Sequence, residues 1–135
     1  MHDDDLELVR SAIEALNGRD MERLLELLDP DVELVTVKAV FEGTEYRGHD
    51  GLRRYLADMS EDWERFSYEL DSLTPVGDGL VLVTGRMHAR GRETGTEVES
   101  PGAWLNEVRD GVVVSVHFYA DADAALAAAQ ERAAH

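Results

Sequence analysis

Apolar positions in this chain first recur at helical spacing and then, in the second half, follow the two-residue period of strands. Leu6, Val9, Ile13 and Leu16 fall on one face of a helix that Asp3 to Asp5 can cap and that Asn17-Gly18 ends. Asp20 caps a second helix carrying Leu24, Leu25, Leu27 and Leu28, and Pro30 is expected to stop it because proline cannot continue the backbone ladder. Val32 to Phe41 is β-rich, Glu42 to Gly48 is a turn-rich loop, and Asp50 caps a third helix with Leu52, Tyr55, Leu56 and Met59 turned inward. Trp63 and Phe66 follow as its packing lid. Tyr68 to Val76, Leu80 to Arg90, Thr96 to Arg109 and Val112 to Ala120 then read as strands. Gly77-Asp78-Gly79 turns the first pair, Gly91 and Gly95 flank the second turn, and Asp110-Gly111 makes a tight hairpin. Asp121 opens a closing helix with Ala124, Leu126 and Ala129. Helices first and long antiparallel strands last suit an α+β chain whose curved sheet wraps around helices and encloses one pocket.

Composition narrows what such a pocket serves. At 135 residues with no linker, repeat or low-complexity segment, residues 1–135 are expected to form one domain able to bury a core. The formal charge is −16, from 13 basic and 29 acidic residues, so a phosphate backbone or an anionic bilayer would be repelled; neither a nucleic acid nor a membrane is expected as a partner. Without cysteine, disulfides, thiol nucleophiles and Cys-ligated zinc are excluded. The acidic start, Met1 to Asp5, runs straight into a helix with no signal peptide or long apolar span, so a cytoplasmic location is expected. No His-x-x-x-His, no carboxylate pair with ligand spacing and no glycine-rich strand-to-helix loop is present, and no metal or other cofactor is expected.

Several stretches together carry a resemblance. They are Ala15-Leu16-Asn17-Gly18-Arg19-Asp20, Leu27-Leu28-Asp29-Pro30-Asp31-Val32-Glu33, Tyr46-Arg47-Gly48-His49-Asp50-Gly51-Leu52, Val108-Arg109-Asp110-Gly111, and Tyr119-Ala120-Asp121 leading into Ala124-Ala125-Leu126. In this order the chain resembles the NTF2-like superfamily, and within it the SnoaL-like and ketosteroid-isomerase-related proteins. The resemblance implies an α+β cone: a strongly bent, largely antiparallel sheet, N-terminal helices on its concave face, a pocket between them, and a homodimer formed through the sheet. It also argues against ketosteroid isomerisation, which needs a carboxylate base and an oxyanion site made of a tyrosine and a protonated aspartate. The tyrosine position is Ala12, the base position Thr36, and the second acid falls at Trp104 or Ala103. Limonene-epoxide-hydrolase-like members use an arginine and two aspartates; Arg86 matches the arginine, while His88 and Phe118 stand where the aspartates would be.

Alternation along strands groups the candidate residues. Trp104, Asn106 and Val108 share a face, as do Val116, Phe118 and Ala120, as do Arg86 and His88, and as do Leu34, Thr36 and Lys38. Alignment to the family turns Trp104, and Arg86 with His88, toward the pocket. A histidine there could act as a general base near neutral pH, and an arginine two residues away could hold a carboxylate or enolate. Arg86 and His88 are therefore the candidate catalytic pair, with solvent exposure or a dimer contact as the alternative. Thr36, Trp104, Asn106, Val116 and Phe118 are the candidate ligand-binding residues, with ordinary core packing as theirs. His117 and Tyr119 look outward by parity. Tyr46 and His49 are expected to anchor a loop. The expected function is binding of a small apolar organic molecule, with cofactor-free isomerase, cyclase or hydratase chemistry if the protein is an enzyme. A non-catalytic binding or sequestering module and a dimerisation module are the alternatives.

Overall fold

The computed structural model describes residues 2–36, 43 and 46–133. Four helices and six strands follow in chain order: α1 (His2–Asn17), α2 (Met21–Leu27), β1 (Leu28–Val35), β2 (Tyr46–Arg47), α3 (Gly48–Asp62), β3 (Trp63–Gly77), β4 (Leu80–Gly91), β5 (Glu97–Arg109), β6 (Val112–Tyr119) and α4 (Ala122–Ala133). The strands form one curved sheet in the order β2-β1-β6-β5-β4-β3, antiparallel throughout except where β1 runs parallel to β6.

Both faces of this sheet are covered where it is most apolar. Val81 and Val83 of β4 turn to the face that carries α1, α2 and α3, while Leu80 and Leu82 turn to the other face. There Ala125 and Ala129 of α4 lie against Leu80, Leu82, Ala103 and Leu105. Alanines at these helix positions let the α4 backbone approach the sheet closely. Arg132 then ties the helix down through Glu107 at 2.8 Å.

Local differences from the sequence pattern have physical causes. The second helix ends at Leu27, before Pro30, which lies within β1; the chain straightens at Leu28, where extended backbone takes over. Helix α3 starts at Gly48, and Arg47 precedes it without a side-chain cap; Asp50 sits in the first turn and pairs with Arg53 at 3.0 Å. Strand β3 begins at Trp63 rather than Tyr68, because β4 is long enough to pair with it up to Gly91. Of the expected strand from Val32 to Phe41, the stretch 37–41 lies outside the described residues, as does Lys38. The end of α1 is set by Arg19, which adopts the left-handed φ of 55°. The hairpin at Asp110-Gly111 has φ values of 53° and 80°, the mirror-image turn that matches strand twist.

The open edge of the sheet is β3, and α1 covers part of it. Asn17 donates Nδ2–H to the Tyr68 carbonyl and accepts from the Tyr68 amide through Oδ1, both at 2.8 Å, as a neighbouring strand would. The Arg19 guanidinium reaches the carbonyls of Leu16 and Phe66, both at 2.5 Å, and lies 3.8 Å from the Phe66 ring centroid.

At the opposite end, β1 and β6 are linked by His117 Nε2 and Glu33 Oε1 at 2.7 Å, with Arg47 3.1 Å from the other Glu33 oxygen. The hydrogen bond from His117 is the main cause that holds the Glu33 carboxyl below its ordinary range. A depressed carboxyl stabilises the fold above the unfolded pKa, and that contribution is lost as pH falls through the folded value. Glu33→Gln should therefore lower stability at pH 7 by less than about 1 kcal/mol, since the pair is partly solvated, and the difference should shrink as pH falls below the ordinary carboxylate range. Urea unfolding of both proteins across pH 3 to 7 measures it.

Candidate functional site

Between the sheet and helices α1 to α3 lies a cavity of about 480 Å³. Its helical wall includes Val9, Ala12, Leu24, Leu52, Tyr55 and Met59. Its sheet wall includes Leu34, Tyr68, Val83, Met87, Trp104 and Val113. Such a lining rewards apolar contact.

Three strands build the aromatic part of the sheet wall. Cross-strand register places Val83 beside Trp104 and Trp104 beside Phe118, so all three share the cavity face. The Trp104 ring meets Phe118 at 5.9 Å and meets Tyr68 edge-on at 5.6 Å. Room for this comes from Gly102: a Cβ there would lie 2.8 Å from Phe118 Cε1 and 3.0 Å from Trp104 Cη2. One pleat further, Val81 pairs with Asn106 and Asn106 with Val116. Asn106 is buried, and its side chain makes one long hydrogen bond, Nδ2 to the Trp104 carbonyl at 3.3 Å.

The polar features of the cavity are few. The Tyr55 and Tyr68 hydroxyls lie 2.5 Å apart. Burial pushes both phenols upward, Tyr55 well above its ordinary range; for Tyr68 the nearby Arg19 charge and the bond to Tyr55 oppose the rise. Both are neutral at physiological pH. Asp62, an exposed residue, also lines the cavity; Glu69 contributes to the lining, but its carboxylate turns to His88 at 3.6 Å on the opposite sheet face.

Five of the residues singled out from sequence, Thr36, Trp104, Asn106, Val116 and Phe118, line this cavity. Arg86 and His88 do not, and the assignment of this pair to the pocket is corrected. They share a sheet face with Thr84 and Leu82, opposite Val83 and Met87, and are fixed there by carboxylates. Arg86 bonds Glu99 at 2.7 Å and lies 3.7 Å from Asp71; the Glu99 hydrogen bond raises the guanidinium and lowers the carboxylate. His88 lies 3.6 Å from Glu69 and 3.9 Å from another Glu99 oxygen. A side chain on that face cannot touch a molecule held on the other. His117 and Tyr119 also face away from the cavity, with rings stacked at 6.5 Å. His49 does anchor the start of α3, through Nε2 and the Leu28 carbonyl at 2.9 Å. Buried Tyr46 holds the same helix through Asp58 at 2.6 Å. The sequence reading missed the Tyr55–Tyr68 contact, since nothing in a spacing of 13 residues signals a bond between a helix and a strand.

Among the described residues no group of three His, Asp or Glu side chains could hold a metal ion, and no helix is long and apolar enough to cross a membrane.

A curved sheet with three helices closing a cavity on one face and a fourth helix on the other is the NTF2-like α+β architecture. The chain belongs to the SnoaL-like domain family, whose model matches residues 9–116. A search of curated proteins finds no match. Solved structures share the fold at low identity. TerC, co-crystallised with polyporic acid, is 20% identical, with 94% of this chain and 98% of that one covered and a TM-score of 0.77. An NTF2-like protein from Burkholderia xenovorans is 27% identical over 94% of this chain and 95% of its own, with a TM-score of 0.73. A candidate polyketide cyclase from Xanthomonas campestris pv. campestris is 21% identical over 94% and 97%, with a TM-score of 0.71.

Proposed function

We propose that this protein binds a small, mainly apolar organic molecule in the cavity between its sheet and helices α1 to α3. The observation that carries this reading is the cavity itself: about 480 Å³, walled by aliphatic side chains and the Tyr68, Trp104 and Phe118 rings, with few polar groups. Net charge supports a neutral occupant, because a chain of −16 with Asp62 at the cavity disfavours anions. Binding is favoured over turnover because, among the described residues, the lining holds no histidine and its carboxylates belong to exposed residues. Cofactor-free isomerase, cyclase or hydratase chemistry is the second reading. The family and the Tyr55–Tyr68 pair favour it, since a positioned phenol can donate a proton. A homodimer through the sheet belongs to the same proposal; sedimentation as a monomer at micromolar concentration would remove that part.

The test is titration with neutral phenylnaphthylamine, whose fluorescence rises in apolar surroundings. One molecule should bind per chain. Ala12→Phe, which extends a ring from α1 into the cavity, should weaken binding at least tenfold while the melting temperature holds or rises. Arg86→Ala and His88→Ala should leave binding unchanged. Equal binding by wild type and Ala12→Phe would remove the cavity as the site. Polyporic acid, the compound in the TerC crystals, is the second molecule to titrate.

A further inference from the structure

Two phenol hydroxyls in contact leave a proton over. Each hydroxyl carries one hydrogen to donate. In the Tyr55–Tyr68 contact of 2.5 Å one hydroxyl donates and the other accepts, which uses a single hydrogen. The accepting hydroxyl keeps its own hydrogen, and among the described residues neither tyrosine oxygen has another hydrogen-bond partner. Both residues line the cavity, so the remaining donor belongs to a mainly apolar space. A buried donor without an acceptor is unfavourable, and a ligand oxygen that supplies the acceptor relieves this.

The surroundings hold the pair in place. Tyr68 is fixed through its backbone by both bonds from Asn17, and its ring is supported edge-on by Trp104. Tyr55 is on α3, with its ring packed edge-on against Tyr46 at 5.3 Å. Burial opposes ionisation of both phenols, so the pair donates rather than accepts charge. The Arg19 guanidinium, held on the Phe66 ring, lies close enough to act electrostatically on both tyrosines, and its charge favours electron density on an oxygen bonded to them. The pair sits on α3 and β3, away from Ala12 on α1, where the family resemblance puts the tyrosine of the isomerases.

Resting on the cavity reading above, we infer that the Tyr55–Tyr68 pair is the polar anchor of the cavity and that the ligand is a neutral, flat, mainly apolar molecule carrying a carbonyl oxygen that accepts its free hydrogen. A carboxylate would have to enter past Asp62 on a chain of −16. A cation would bring no acceptor to the free hydrogen. A pure hydrocarbon would fill the space but leave the donor unpaired.

Fluorenone and fluorene test this, since they share size and shape and differ by one carbonyl. Both are titrated by displacement of phenylnaphthylamine. Wild type should bind fluorenone about tenfold more tightly than fluorene, the worth of one net hydrogen bond. The double variant Tyr55→Phe/Tyr68→Phe should keep its fluorene affinity, which shows that the cavity is intact, and lose the preference. The carbonyl stretch of bound fluorenone should lie at lower frequency in wild type than in the double variant. Equal affinities for the two compounds in wild type, or a preference that survives in the double variant, would overturn the anchor and leave the apolar cavity standing. Binding of neither compound would overturn both readings together.

Discussion

Gly85→Ala should destabilise the protein by about 3 kcal/mol, a large part of the stability of a chain this size, and lower its melting temperature by about 10 °C. Strand β3 carries a bulge between Leu70 and Ser72, and Gly85 is the β4 residue opposite its start. There the β3 backbone comes so close that an alanine Cβ would overlap the Glu69 carbonyl oxygen and crowd the Leu70 Cα. Neither neighbour is the flexible end of a side chain. Relief requires parting β3 from β4, and this pair anchors the sheet edge that α1 covers and that carries Tyr68. Gly18→Ala is the matching control. Its Cβ would meet the Glu14 and Ala15 carbonyl oxygens at an ordinary 3.4 and 3.9 Å, so its melt should stay within about 2 °C of wild type, in line with a change below about 0.5 kcal/mol. Urea unfolding of the three proteins gives the comparison; a Gly85→Ala protein as stable as wild type would mean that the bulge yields freely.

Much of this frame could be read from the chain, because its local signals agree with its tertiary ones. The stripe Leu6, Val9, Ile13, Leu16 packs where helical spacing puts it, and Asp110-Gly111 adopts the turn its residue types favour. Alternation also groups Trp104 with Asn106 and Val116 with Phe118, and the register keeps each pair on the cavity face. Which face a strand turns inward is harder to read. On β4, Leu80 to Val83 are all buried because helices lie on both sides of the sheet, so the apolar run does not distinguish the cavity side from the α4 side. Arg86 and His88 inherit that ambiguity, and their polarity reflects carboxylates on the neighbouring strands rather than a cavity. The Tyr55–Tyr68 contact was illegible for another reason. It exists only once α3 has packed across β3, and neither residue type nor spacing announces it. The turn at the end of α1 shows a milder form of the same effect: Gly18 looks like the left-handed residue, yet Arg19 takes that conformation because its guanidinium gains the Leu16 and Phe66 carbonyls and the Phe66 ring.

Trp104→Ala should affect the cavity more than any other substitution of its wall. The indole supports Tyr68 on one side, packs against Phe118 on the other and lies over Gly102, so its loss removes the centre of the aromatic wall in one step. Ordinary core tryptophans cost about 3–5 kcal/mol on truncation to alanine. Trp104 is only partly buried and borders space that is already open, so about 2 kcal/mol is expected here, with the fold retained. The effect on binding should be larger in proportion: at least a hundredfold loss of phenylnaphthylamine affinity, because a flat molecule loses its widest contact surface. Fluorescence separates this from general damage. Trp63 and Trp104 are the two tryptophans of the chain, and both line the cavity. In Trp63→Phe all indole emission comes from Trp104, and bound probe should still quench it. In Trp104→Ala the remaining Trp63 emission should respond to probe only at concentrations about a hundredfold higher. Unchanged probe affinity in Trp104→Ala, with the fold shown intact by circular dichroism, would place the binding surface elsewhere on the molecule and remove the aromatic wall from the account of recognition.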